Sequence, residues 1–159
     1  MAKRSRPAAS RTDASSSSDE GVDVRYIESS ALLSALLERD ADAIKSIRKR
    51  GRRVTSALTF AEAGRAIRRA RVTGRLSSDQ ERTAVQALRR FERRCYVVAV
   101  SDAVLARVRR PFPVEPIRTL DAIHLATAEL LGEPPQLITI VTRDVRVKDN
   151  ADALGYPIE

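Results

Sequence analysis

The chain of 159 residues has the length of one domain, and 43% apolar against 31% charged residues supply a modest core under a heavily charged surface. No run of about 18 apolar residues occurs and the N-terminus lacks an apolar secretory region, so no membrane span is expected and the cytoplasm is the expected location. The formal net charge is +8, and 25 of the 29 cations are arginine, whose planar fork suits bidentate contacts to phosphate; an Arg- and Ala-rich composition inherited from a GC-rich genome leaves the same signature.

Residues 1–23 carry Ser5, Ser10 and the run from Ser15 to Ser18 among balanced charges. So few large apolar side chains cannot offset the entropy of ordering, and a disordered extension is expected there, with the folded domain over 24–159. Residues 24–27 read as a short strand leading to Ser29 and Ser30, an N-cap pair for a helix over 31–37. A helix over 42–50 ends at Gly51, and residues 53–56 form a second strand before a helix over 58–71 closed by Gly74. The stretch from Ser77 to Glu81 resembles a capping box and opens a helix reaching residue 94. Residues 95–100 are the third strand. It begins at Cys95, the single cysteine, which excludes an internal disulfide and a cysteine-rich metal centre, so any metal is expected on oxygen. A helix over 102–110 stops at Pro111, and Thr119 is expected to cap a helix over 120–131. Residues 137–142 are nearly continuous in apolar and β-branched side chains, as a strand covered on both faces requires. A helix over 145–154 and a final strand near 156–158 complete an α/β alternation, which implies a parallel sheet with helices on both faces.

Ligands of such sheets bind beyond the carboxyl ends of the strands, which makes acids following strands the candidates. Glu28 directly follows the first strand and Asp144 lies two residues past the fourth. Asp23 is set aside, being roughly 16 Å back along the first strand at about 3.3 Å per residue. Glu62 and Asp121 sit near helix starts after the chain returns to the same edge. Each acid also has a structural reading: Asp121 favours a helix dipole, Glu62 can pair with Arg65 or Arg69, and Asp144 can cap a helix. Glu62 is the most informative, because its Ala- and Gly-rich surroundings suggest partial burial, and a buried carboxylate wants a cation.

Four blocks stand in order along the chain: residues 26–32 (YIESSAL), 55–62 (TSALTFAE), 118–126 (RTLDAIHLA) and 141–144 (VTRD), the last followed by Asn150 and Leu154-Gly155. Together they resemble the PIN-domain ribonucleases, and within them the VapC-type toxins of toxin–antitoxin modules. The resemblance implies a PIN-like fold over residues 24–159 and an endoribonuclease that hydrolyses RNA phosphodiester bonds with Mg²⁺, or Mn²⁺ in its place. It implies an acidic quartet of Glu28, Glu62, Asp121 and Asp144 as catalytic and metal-holding residues. The first block normally carries Asp where this chain has Glu28, and the added methylene is expected to move that carboxylate outward. Ser30, Thr142 and Asn150 are candidates to orient the ligands, each with an alternative role in capping or packing. His124 is read first as a packed helix histidine, although the third block puts it near the site.

Arg65, Arg68 and Arg69 are the first candidates for RNA backbone contacts, followed by the runs around 48–53 and 89–94, with solvated helix faces as the alternative. The expected partners are an RNA substrate, a VapB-type antitoxin and a second copy of the chain in a homodimer. Two other functions stay open: an RNA-binding PIN protein without turnover, and a PIN nuclease of RNA processing outside a toxin module.

Overall fold

The computed structural model describes residues 23–159; the expected N-terminal extension, up to residue 22, lies outside the described residues. Four parallel strands, β1 (Val24–Ile27), β2 (Arg52–Ser56), β3 (Tyr96–Val98) and β4 (Ile138–Val141), are arranged in the order β3-β2-β1-β4. The helices are α1 (Ser29–Leu33), α2 (Ala41–Arg48), α3 (Ala57–Val72), α4 (Ser78–Glu92), α5 (Asp102–Val108), α6 (Thr119–Glu129) and α7 (Val145–Ala153). The expected α/β architecture with a parallel sheet covered on both faces is therefore observed.

The two-residue period of the strands divides the core. Val24, Tyr26, Val54, Ile138 and Ile140 point to one face, where they pack with Val104 of α5, Leu125 of α6 and Val147 of α7. Ile27 and Val141 point to the other, against Leu32 of α1, Ile47 of α2, Ile67 of α3 and Leu88 of α4. Ile27 is aligned with Val141 at the ends of β1 and β4. The chain segments that follow these two strands consequently emerge side by side.

Several boundaries differ from expectation for identifiable reasons. Glu28, not the Ser29-Ser30 pair, is the N-cap of α1, its carboxylate accepting from Ser30 N–H. The expected helix over 31–37 changes after Leu33 into a π turn, Ser34–Glu38, which ends at Arg39 in the left-handed region (φ 56°). That turn delivers Asp40, which caps α2 and also accepts from the Arg143 guanidinium at 3.2 Å. Helix α6 begins at Thr119 with Arg118 as N-cap and no side-chain cap, so Thr119 is not the cap. The capping box forms as read, between Ser77 and Gln80. The final strand reduces to a single bridge, Ile158 to Ile140, although the backbone follows β4 through Ile140 N–H to Pro157 and Thr142 N–H to Glu159. Pro157 has no N–H with which to continue a ladder. Gly51, two residues past the C-cap Lys49, has φ 130°, and a Cβ there would lie 2.6 Å from the Asp23 carbonyl oxygen, so only glycine fits.

Candidate metal centre

The four acids predicted from the sequence all lie at the carboxyl edge of the sheet, on segments that the topology brings there. Glu28 follows β1, Asp144 caps α7 just past β4, Glu62 is in the second turn of α3 after β2, and Asp121 is in the first turn of α6. Glu28 and Glu62 come together with His124, their ligand atoms all lying within 4.8 Å of one another. Asp121 and Asp144 are outside that set of three but adjoin it electrostatically. Burial, then the charge of Asp144, and less strongly that of Glu28, raise the Asp121 pKa, and Arg118 only partly opposes them.

Glu28 is 3% exposed. Its added methylene does not carry the carboxylate outward as the sequence suggested; the group turns back over its own helix. Oε2 accepts from Ser30 N–H at 3.0 Å, from the Ser30 hydroxyl, and from Thr142 Oγ1 at 2.9 Å, and Oε1 accepts from Ser29 Oγ at 2.5 Å. Ser30 Oγ in turn accepts from Arg143 N–H at 2.8 Å, which ties the α1 start to the β4–α7 loop. Ser30 and Thr142 thus touch the carboxylate they were expected to orient.

Asn150 points elsewhere. Its side chain accepts from Val114 N–H and donates to the Val114 carbonyl, both at 2.9 Å, and donates to the Arg146 carbonyl at 3.1 Å. It pins the loop before α6 to α7, the structural alternative, and does not bond to any of the four acids.

His124 is the packed, hydrogen-bonded helix histidine expected from the sequence, and it also adjoins the acids. It is 1% exposed, with Nε2 2.7 Å from Glu62 Oε2 and 3.7 Å from Glu28 Oε1, and with Nδ1 3.0 Å from the Tyr26 hydroxyl. The signal available in the sequence was its position three residues after Asp121 on a helix, which puts both on neighbouring faces. Its Nε2 stands among the carboxylate oxygens, within 4.8 Å of those of Glu28 and Glu62. Burial drives the Tyr26 phenol far above its ordinary range, which keeps that hydroxyl neutral.

These residues fit a hard divalent cation. Asp121 Oδ2 is buried with no hydrogen-bond partner, and a carboxylate oxygen left so beside other carboxylates costs several kcal/mol of solvation unless a cation approaches it. Asp144 uses one oxygen, Oδ1, on Arg146 and Val147 N–H, and Glu62 uses one on His124. Asp144 and Glu62 each keep a second oxygen for another partner.

Of the cations, Arg65, Arg68 and Arg69 are exposed on α3 beyond Glu62, with Arg68 3.7 Å from Glu81. The run at 48–53 lies elsewhere. Arg52 begins β2 at the amino edge of the sheet, Arg53 Nε donates to the Ile47 carbonyl at 2.9 Å, and Lys49 pairs with Glu159 at 2.8 Å. Among the described residues no helix is long and apolar enough to cross a membrane.

The family model of the PIN domain matches residues 25–153. Ribonuclease VapC35 of Mycobacterium tuberculosis is 36% identical over 137 residues, covering 84% of this chain and 93% of that protein. Ribonuclease VapC46 of the same organism is 37% identical over 135 residues, covering 84% and 94%. Among solved structures, VapBC2 from Rickettsia felis bound to a DNA fragment from its promoter aligns with a TM-score of 0.60 at 12% identity, over 86% of this chain and 97% of that one. VapBC-1 from nontypeable Haemophilus influenzae aligns with a TM-score of 0.53 at 14% identity, over 86% and 96%. A four-stranded parallel sheet with acids gathered at its carboxyl edge, a family match over most of the folded chain and VapC relatives above one-third identity agree: the chain belongs to the PIN-domain family, among the VapC ribonucleases.

Proposed function

We propose that this protein is the toxin of a VapBC-type pair, an endoribonuclease that hydrolyses RNA phosphodiester bonds with Mg²⁺, or Mn²⁺ in its place. The observation that carries the reading is the buried, unpartnered Oδ2 of Asp121, flanked by the charges of Asp144 and Glu28. Asp121, Glu62, Asp144 and the Oε1 side of Glu28 would hold the ion. When bound, such a cation supplies a water nucleophile at neutral pH and neutralises charge on the phosphoryl oxygens. The chain's own part is positional. Ser29, Ser30 and Thr142 fix the Glu28 carboxylate, and the α7 N-terminus holds one oxygen of Asp144 while leaving the other available. Arg65, Arg68 and Arg69 extend a basic strip along α3 from Glu62, suited to the RNA backbone.

The proposed regulator is a VapB-type antitoxin, supported by the VapBC complexes among the structural relatives. A groove of about 310 Å³ between the α1–α2 segment and α4 has an apolar floor of Leu32, Leu36, Ile44 and Phe91, rimmed by Arg48, Arg53, Arg90 and Arg94. It suits an acidic amphipathic segment of that antitoxin. A homodimer in the cytoplasm and residues 24–159 acting as one PIN domain complete the proposal. Binding without turnover, and RNA processing outside a toxin pair, have no observation in their favour.

The test is incubation of total RNA with the purified protein, with and without Mn²⁺, beside Asp121→Asn. Cuts that need the ion and disappear in the variant are expected. RNA left intact by the wild type while gel shifts still report binding would overturn the proposal.

A further inference from the structure

Glu62 is held differently from the other acids. Glu28 and Asp144 both receive backbone N–H groups, whereas Glu62 accepts from a single side chain, His124, itself seated on a buried hydroxyl. The contact of 2.7 Å joins Nε2 to a carboxylate oxygen, a pairing that an N–H at Nε2 satisfies, since a carboxylate oxygen accepts. A ring protonated at Nε2 and otherwise neutral presents a lone pair at Nδ1, where the Tyr26 hydroxyl lies 3.0 Å away. The edge-on arrangement of the two rings, at an interplanar angle of 73°, leaves that hydroxyl directed at the imidazole. Both side chains are 1% exposed, so neither turns away without opening the core.

We infer that Tyr26 and His124 form a positioning relay, Tyr26 O–H to Nδ1 and Nε2–H to Glu62, and that His124 is therefore the donor that aims Glu62 at the cation and not itself a metal ligand. This inference rests on the proposed metal site and assigns it one more functional element. The rival use of the same atoms puts the cation on Nε2, which requires that nitrogen to have lost its proton and breaks its bond to Glu62. The relay also sets an imidazole N–H 3.7 Å from Glu28 Oε1, between two carboxylates that otherwise repel each other. The carboxylates are thereby gathered in advance of the ion.

His124 is the only histidine in the sequence, so in untagged protein with ¹⁵N-labelled imidazole both ring nitrogens are assigned without ambiguity. The relay predicts a proton on Nε2 and none on Nδ1, unchanged when Mg²⁺ is added to saturation. A bare Nε2, or one that loses its proton on Mg²⁺ addition, overturns the inference. The second arm measures Mn²⁺ binding by titration calorimetry in folded variants. His124→Gln keeps an amide N–H near the Nε2 position and should bind Mn²⁺ within about threefold of wild type. His124→Asn, too short to reach Glu62, should weaken binding about 10–100-fold, and Tyr26→Phe by a smaller factor in the same direction. At saturating Mn²⁺ the cleavage rate of His124→Asn should recover. Equal weakening by Gln and Asn would overturn the relay while leaving the metal site intact. Failure of the wild type itself to bind Mn²⁺ would overturn the metal site and the relay together.

Discussion

Two clusters of buried charge flank the sheet, and they are built on opposite terms. Beneath α2, Arg25 is 3% exposed in the central strand, yet its NH2 group bonds to Glu159 Oε2 and to the Ser46 carbonyl, each at 2.7 Å, and Lys49 reaches the same Glu159. Together with Arg53, Arg25 puts positive charge against the carbonyl end of α2, where the helix dipole is negative. At the carboxyl edge four carboxylates gather with Arg118 only partly opposing them, and Asp121 keeps an oxygen with no partner. Arg25 Nε also lacks a partner, but the charge of its guanidinium is met by the Glu159 carboxylate, whereas the Asp121 oxygen has like charges beside it. Compensation of charge, and not burial alone, is what separates the two clusters.

The largest expected effect breaks the second cluster. Asp121→Asn should lower cleavage by about 10³-fold, because several kcal/mol of transition-state stabilisation depend on the ion and each 1.36 kcal/mol is tenfold. The same variant should melt higher than wild type when no divalent ion is added, by about 2–4 °C for each kcal/mol of relieved repulsion. The pH dependence follows from the raised Asp121 pKa, caused first by burial and then by Asp144. Since the folded chain holds this proton more tightly than the unfolded one, the associated stability is complete at acid pH and lost as pH rises through the raised value. Melting curves across pH should show wild type falling away from Asp121→Asn in that window, and Mn²⁺ should restore wild type alone.

Next in size is the loss of balance under α2. Glu159→Gln leaves a buried guanidinium with one carbonyl in place of a carboxylate, and should cost about 3 kcal/mol by denaturant unfolding. The sign with pH is opposite to that of Asp121. Burial would raise the Glu159 pKa, but the Arg25 and Lys49 contacts outweigh it and the net shift is downward. Its contribution is present above the ordinary carboxylate range and disappears as pH falls through the lowered value. Cleavage measured well below the melting temperature should be unchanged, which separates the two clusters by readout. Asn150→Ala should cost about 1–3 kcal/mol, since the Val114 N–H and carbonyl lose their partner.

Local patterning made most of the fold legible. Continuous apolar strands, Ser77 three residues before Gln80 and prolines after Arg110 each act within a few residues, and the elements they predict are present. The parallel order β3-β2-β1-β4 also explains why acids more than one hundred residues apart, such as Glu28 and Asp144, share an edge. What stayed hidden depends on side-chain direction over long range. The backward turn of Glu28 requires Thr142, 114 positions away, and the role of His124 requires Tyr26 and Glu62 on two other elements. The π turn after Leu33 is set by Ser34 and Asp40 meeting across it, for which helical periodicity carries no sign.

The smallest expected effects concern the cations, and they sharpen the same contrast. Glu62, Arg65 and Arg69 follow one face of α3 at spacings of three and seven, so the strip leads away from the acids by about 10 Å at 1.5 Å per residue. Arg68 turns toward Glu81 on α4. If phosphates follow this strip, Arg65→Gln and Arg69→Gln should each reduce the slope of log affinity against log salt by about 0.7, the value per phosphate on a single strand, and Arg68→Gln by less. Arg53, whose Nε is bonded to the end of α2, belongs to the balanced cluster. Arg53→Gln should leave the slope alone and lower stability instead. An equal fall in slope for Arg53→Gln and Arg65→Gln, measured on one RNA across a salt series, would mean that the basic character of the chain acts as a diffuse field and that its placement along α3 carries no information.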